Sequence, residues 1–198
     1  VNWQILDTDS PLELWHEAPI LYLSGAGPFT PSDELIERFR LFALQGGMIL
    51  SEAACNSADF TLSMQRAYQR MFPQFPLARL PDDHAAYGLQ FPVKDIRGLS
   101  GVSNGVRLLA VHSPGELSLG LQLGAKEANR STFELMANLY LLATDKGLLR
   151  PRGAEAWPAE APFEPAATIR VARVRHGGNW DPEPLAWKRL AIVQGRSR

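Results

Sequence analysis

Between Pro19 and Cys55 the chain reads PILYLSG, then PFTPSDELIERFRLFALQGG, then MILSEAAC. Two near-continuous apolar runs flank a segment whose apolar residues recur at helical spacing. Strands joined through a helix lie side by side in the same direction, and the crossover between them is right-handed. This unit commits the chain to an α/β fold with a mostly parallel central sheet. In the helical segment Thr30 is placed as N-cap, with Pro31 at the first helical position and Asp33 three residues after the cap. Leu35, Ile36, Phe39, Phe42 and Ala43 share one face, and Gly46-Gly47 closes the helix.

The rest of the chain is read around that unit. VNWQILD is rich in strand formers and is expected to be a short strand. SPLELWHEA is a brief helical segment with Ser10 and Pro11 in cap and first-turn positions. PILYLSG has the composition of a central parallel strand. After Cys55-Asn56-Ser57 a second helix carries Phe60, Met64, Ala67, Tyr68 and Met71 on one face and stops at Phe72-Pro73. From Pro73 to Ser103 periodicity fades into a long irregular excursion. VRLLAVH (106–112) is a third buried strand ending on His112, and SPGELSLGLQLGAK reads as loop. Ser131 and Glu134 form a capping box opening a helix with Phe133, Met136, Leu139, Tyr140 and Ala143 on its apolar side.

Three segments follow from this reading: an α/β body over 1–147, a Pro/Ala-rich linker over 148–167, and a strand–helix unit over 168–198. In the last, TIRVARVRH is the strand, GGNWDPEP the turn and LAWKRLAIV the helix. A unit this short does not fold alone, so it is expected to dock on the same sheet or to begin a neighbouring domain.

Composition narrows the function classes. With 198 residues the chain suits one compact core. No apolar run reaches the roughly 18 residues of a membrane span. The chain begins at Val1 rather than Met, as a processed protein or an excised piece would. A single cysteine excludes an internal disulfide and a cysteine-cluster metal site. The net charge of −1 argues against a dedicated nucleic-acid binder. Charge is unevenly spread: residues 1–147 carry 11 Lys and Arg against 16 Asp and Glu, while residues 148–198 carry 9 against 5. No cofactor is implied by any motif.

Several stretches together resemble a known bacterial family. They are YLSG followed by a helix, GG-MILSEAAC, MFPQFPLARLPDDHAAY, and RVRHGGNWDPEPLAWKRL. They look like the DUF4159 domain, a family of uncharacterised function grouped with class I glutamine amidotransferase-like and ThuA-like folds. The resemblance implies a flavodoxin-like three-layer sandwich. The family pattern usually begins with the R-x-R-x-G-G-x-W element, which here comes last. That order implies either the end of one such domain and the start of the next, or a permuted sheet.

Three constellations are candidates for chemistry. Cys55 lies between a buried strand and a helix, where a helix dipole favours a thiolate. In amidotransferase-like folds the nucleophilic Cys occupies a similar turn, and a His and a Glu after a later strand complete the triad. The resemblance therefore implies a Cys55–His112–Glu116 arrangement. AACNS lacks the flanking glycines of a nucleophile elbow, and His112 and Glu116 are four residues apart rather than two. The plainer reading of Cys55 is a buried, inert thiol packed beside the sheet.

Asp82-Asp83-His84, in the irregular excursion, offers carboxylates and an imidazole for a metal or an acid–base pair, with Asp83 and His84 matching the family pattern. The plainer reading is a turn capped by Asp83. His176, Asn179 and Trp180, beside Gly177-Gly178, offer close backbone approach and a stacking surface. Read plainly, the glycines make a turn while Trp180 and Trp187 cover a sheet edge. His16 reads as a surface residue.

Three functions are consistent with these residues. The favoured one is a non-catalytic binding or assembly module of a larger protein, in an envelope or periplasmic setting rather than the cytoplasm. Its partner would be a small molecule or a protein, with homo-oligomers or strand exchange through 168–198. The second is a thiol-dependent hydrolase or amidotransferase-like enzyme using Cys55, His112 and Glu116. The third is a ThuA-like sugar-related activity with Asp83 and His84 in the site.

Overall fold

The structure, a computed structural model, describes residues 4–124, 127–145 and, toward the C-terminus, 172, 174–178, 187, 190 and 191. The chain divides into two compact units, Val1–Arg150 and Pro151–Arg198.

In the first unit a short helix, α1 (Leu12–Trp15), with Pro11 rather than Ser10 at its N-cap, precedes five strands that form one mixed sheet. They are β1 (Ile20–Gly25), β2 (Met48–Ala53), β3 (Ala78–Arg79), β4 (Ser100–Ser103) and β5 (Leu108–Ser113), in the order β1-β2-β5-β4-β3. β1, β2 and β5 run parallel; β4 is antiparallel to β5, and β3 is antiparallel to β4. The fold is therefore α/β with a parallel centre. PILYLSG is an edge strand rather than a central one, because among the described residues β1 pairs only with β2. Its alternate exposure, with Tyr22 and Ser24 open to solvent, is the consequence. β2 is central, and all six of its residues are buried.

Alternation along β2 and β5 feeds two cores. Ile49 and Ala110 face α2 (Asp33–Leu44) and α3 (Ala58–Met71), meeting Ile36, Phe39, Phe42, Phe60, Met64 and Tyr68. Met48, Leu50 and Val111 face the opposite way, toward Tyr87, Leu99 and, on α5 (Arg130–Asp145), Leu135 and Leu139. Each such side chain stabilises the fold by roughly 1.5–3 kcal/mol when fully buried. The α3 face is the one expected from spacing. α2 begins two residues later than expected: Ser32, not Thr30, is the N-cap, and its hydroxyl accepts the Leu35 N–H at 3.1 Å.

Gln4–Asp7 form no strand; Leu6 instead packs against the α2–α3 core. The excursion from Pro73 to Ser103 contains β3 and β4. β4 turns into β5 through Asn104-Gly105, where the Asn104 Oδ1 accepts the N–H groups of Val106 and Arg107, both at 3.0 Å, and Gly105 takes φ +87°. The stretch after Ser113 is not all loop, since α4 spans Ser118–Gln122.

The Ser131–Glu134 capping box does not form. α5 already begins at Arg130, the Ser131 hydroxyl donates to Asp95, and Glu134 pairs with Arg130. The buried face of α5 is Thr132, Leu135, Asn138 and Leu139, with Tyr140 exposed. It is rotated from the expected face because the Asn138 amide is drawn inward. Its oxygen accepts from Gln90 and Phe91, and its nitrogen donates to Ala86 and Phe91.

Of the second unit little is described. The linker over 148–167 lies outside the described residues, as does much of the strand and turn read after it. Residues 172 and 174–176, which are described, are in no strand, while Trp187, Leu190 and Ala191 are helical.

Candidate functional site

β2 leaves the sheet at Ala53 into a single turn, Ala54–Asn56, and Ser57 caps α3 by accepting the Phe60 N–H at 3.2 Å. Within the turn Cys55 and Asn56 sit at φ +52° and +54°. Asn adopts this left-handed region readily, whereas a Cys there costs about 1–3 kcal/mol. Gly25, at the exit of β1, carries no Cβ where the Phe60 ring of α3 passes. Cys55 is exposed.

The turn is clasped by the loop after β5. The Cys55 N–H donates to Glu116 Oε2 at 3.2 Å, and the Glu116 N–H donates back to Asn56 Oδ1 at 3.3 Å. Two of the three residues of the expected triad thus meet, through the cysteine's backbone rather than its thiol.

His112 is elsewhere engaged. It is 2% exposed, on the α3 side of the sheet in register with Ser51. The Tyr68 hydroxyl donates to Ser51 Oγ at 2.8 Å, and Ser51 Oγ lies 2.8 Å from His112 Nδ1. With the Tyr68 proton spent on Ser51, the Ser51 proton goes to Nδ1, which assigns the ring proton to Nε2. Nε2 then donates to Thr61 Oγ1, 3.2 Å away on α3. Burial lowers the His112 pKa to about 4, so the ring is neutral near pH 7. Burial likewise raises the Tyr68 hydroxyl, against a lowering by its bond to Ser51. Both ring nitrogens are occupied by hydroxyls, and no hydrogen bond joins the ring to the thiol.

A buried carboxylate, Glu52, occupies the opposite face of β2. It accepts the Ser24 hydroxyl at 2.9 Å and the N–H groups of Leu117 and Ser118 at 2.6 and 2.9 Å. Burial works to raise its pKa, yet hydrogen bonds from Ser118, Tyr22, Leu117 and Ser24 outweigh it and hold the pKa below its ordinary value. The Tyr22 hydroxyl is raised, first by burial and then by Glu52. Glu52 ties β1, β2 and the start of α4 together at the strand ends. A carboxylate inside the apolar run MILSEA was the signal for it, and Ser51 beside it was the signal for the imidazole network.

The remaining candidates lie apart. Asp82 faces Arg79 at 3.9 Å and Arg97 at 4.0 Å, and Asp83 is exposed. His84 caps the turn Ala85–Tyr87, its Nδ1 accepting the Ala86 N–H at 3.0 Å. The cap there is His84, not Asp83. Burial lowers the His84 pKa, against a raising effect of Asp83. His84 borders a cavity shared with Gly105 and Leu108 at the start of β5, the opposite end from Cys55. In the second unit the exposed His176 accepts the Gly178 N–H at 3.1 Å, and Trp187 is exposed; Asn179 and Trp180 lie outside the described residues. His16 hydrogen-bonds Gln45 at 3.0 Å and stacks on Phe42.

Among the described residues no group of three or more His, Cys, Asp or Glu side chains is placed to hold a metal ion, and no helix is long and apolar enough to cross a membrane. A family model described as a domain of unknown function (DUF4159) matches residues 5–138, which include every strand of the sheet. His176, Asn179 and Trp180 fall outside the match. No curated protein matches the chain.

Proposed function

Because the chain belongs to the DUF4159 family, matched from residue 5 to 138, we propose that this domain is a non-catalytic binding or assembly module. One observation carries the reading. Both nitrogens of His112, the only imidazole on β1, β2 or β5, are taken by Ser51 and Thr61 inside the protein. A base for Cys55 must reach the thiol, directly or through one water. Glu116 supports the same reading, since it uses its carboxylate on the Cys55 N–H as part of a reciprocal clasp. The strand ends thereby form a braced surface of Cys55, Asn56 and Glu116, fit to present groups to a ligand or partner.

We place the fold with the flavodoxin-like, class I glutamine amidotransferase-like and ThuA-like arrangements. The parallel β1-β2-β5 centre and the cysteine on a left-handed turn at a strand exit support that placement. On the same reading residues 168–198 begin a neighbouring domain, which the family match ending at residue 138 supports.

The test is intact-mass spectrometry after incubation with glutamine, with its thioester analogues and with an activated ester. The binding reading expects no stoichiometric acyl adduct on Cys55. An adduct that forms in the wild type and disappears in His112→Gln would establish the thiol-dependent enzyme instead.

A further inference from the structure

At the base of β5 an open cleft has a volume of about 500 Å³, within the range that holds small organic ligands. Its apolar wall includes Leu80, Val106, Leu108 and Leu142. Val106 is 81% exposed, an uncovered apolar side chain at the rim. Among the described residues the chargeable side chains that line the cavity are Arg79, His84 and Arg107, and no carboxylate does.

The hydrogen-bonding roles of these groups are settled by their other contacts. His84 Nδ1 accepts the Ala86 N–H, so in the neutral ring Nε2 carries the proton. That N–H has no protein acceptor among the described residues. Arg79 is mostly exposed and has only a loose contact to Asp82 at 3.9 Å, a geometry worth little in water. Arg107 is spent, its guanidinium donating to the carbonyls of Gly47, Leu108 and Ala43. It adds positive charge to the wall without facing a carboxylate. The cavity therefore offers an apolar body site and two donors, one charged and one neutral.

We propose that this cavity is a binding site for a small amphipathic monoanion, a carboxylate on an aromatic or aliphatic body, with the carboxylate held by Arg79 and the His84 Nε2–H. One available guanidinium and one neutral N–H match a single negative charge. A phosphate dianion would need further donors. The site lies at the opposite end of β5 from Cys55 and holds whether or not the strand-end surface binds anything.

A fluorine NMR titration of the full chain with fluorophenylacetate tests this, beside fluorophenylacetamide and fluorophenethylamine as neutral and cationic controls. The carboxylate is expected to bind at least about tenfold tighter than either control, the size of one charge-assisted hydrogen bond. Arg79→Gln and His84→Asn should each weaken it by about the same factor. Asn keeps a side-chain acceptor for the Ala86 N–H, while its amide is too short to place a donor where Nε2–H stands, and amide spectra of both variants confirm folding. Shifted amides should include those of residues 79, 84 and 108. Equal binding of the three probes, no binding, unchanged affinity in both variants, or shifts confined to residues 53–57 and 113–118 would overturn the assignment.

Discussion

Acidification separates an imidazole built into the structure from one that exchanges protons with a substrate. His112 is neutral inside the folded protein, with a pKa near 4, and has the ordinary value of about 6.5 once unfolded. Between those values the unfolded chain holds the extra proton, so stability falls as pH falls. The contribution is complete above about pH 6.5, and roughly 2–3 kcal/mol of it is gone by about pH 4.5.

Protonation has a visible structural cost. An imidazolium would donate at Nδ1 toward Ser51, which already accepts from Tyr68, and the Ser51 hydroxyl would lose its acceptor. The comparison is urea denaturation of wild type and His112→Gln at neutral pH and at about pH 4.5. A glutamine offers one acceptor and one donor end and does not titrate there. The wild type should lose about 2–3 kcal/mol more than the variant over that interval, other carboxylates contributing equally to both. Equal losses would refute the assignment of a buried neutral ring.

Other perturbations have expected outcomes. Asn138→Leu leaves the N–H groups of Gln90 and Phe91 without their acceptor and should cost about 2–4 kcal/mol in urea unfolding; a loss below about 1 kcal/mol would contradict the pinning of this segment. Glu52→Ala orphans the Leu117 and Ser118 N–H groups. At neutral pH it should cost about 2–4 kcal/mol. Because the Glu52 pKa is lowered on folding, the difference should shrink as pH falls below the unfolded carboxylate value, and a difference that grows there would contradict the direction. Cys55→Gly relieves the left-handed strain and should leave stability unchanged or raise it by about 1 kcal/mol; thermal unfolding that shows a loss beyond that would mean the thiol is itself a packing group.

Periodicity made the parallel centre and the α3 face legible, because β2 opens on the apolar run Met48-Ile49-Leu50 and α3 packs one clean stripe. β4 was not legible, since Ser100-Gly101-Val102-Ser103 lacks strand composition and is held by its neighbours. The Asn104-Gly105 turn was its one local sign. The face of α5 was misread because a polar residue, Asn138, is buried by its hydrogen bonds rather than by hydropathy. At the site, the position of Cys55 after a strand was readable. Its clasp to Glu116 spans 61 residues and has no local signature, and the buried Ser51 hints at a polar partner without naming His112, because that pairing depends on sheet register.

The thiol of Cys55 stands apart from the His112 imidazole, and alkylation of Cys55 by iodoacetamide measures that separation. Rates are followed across pH for the native wild type and for His112→Gln. The two pH profiles should superimpose, because His112 is committed to Ser51 and Thr61. A reactive acidic limb in the wild type that vanishes in the variant would contradict this separation and put His112 against the thiol as its base.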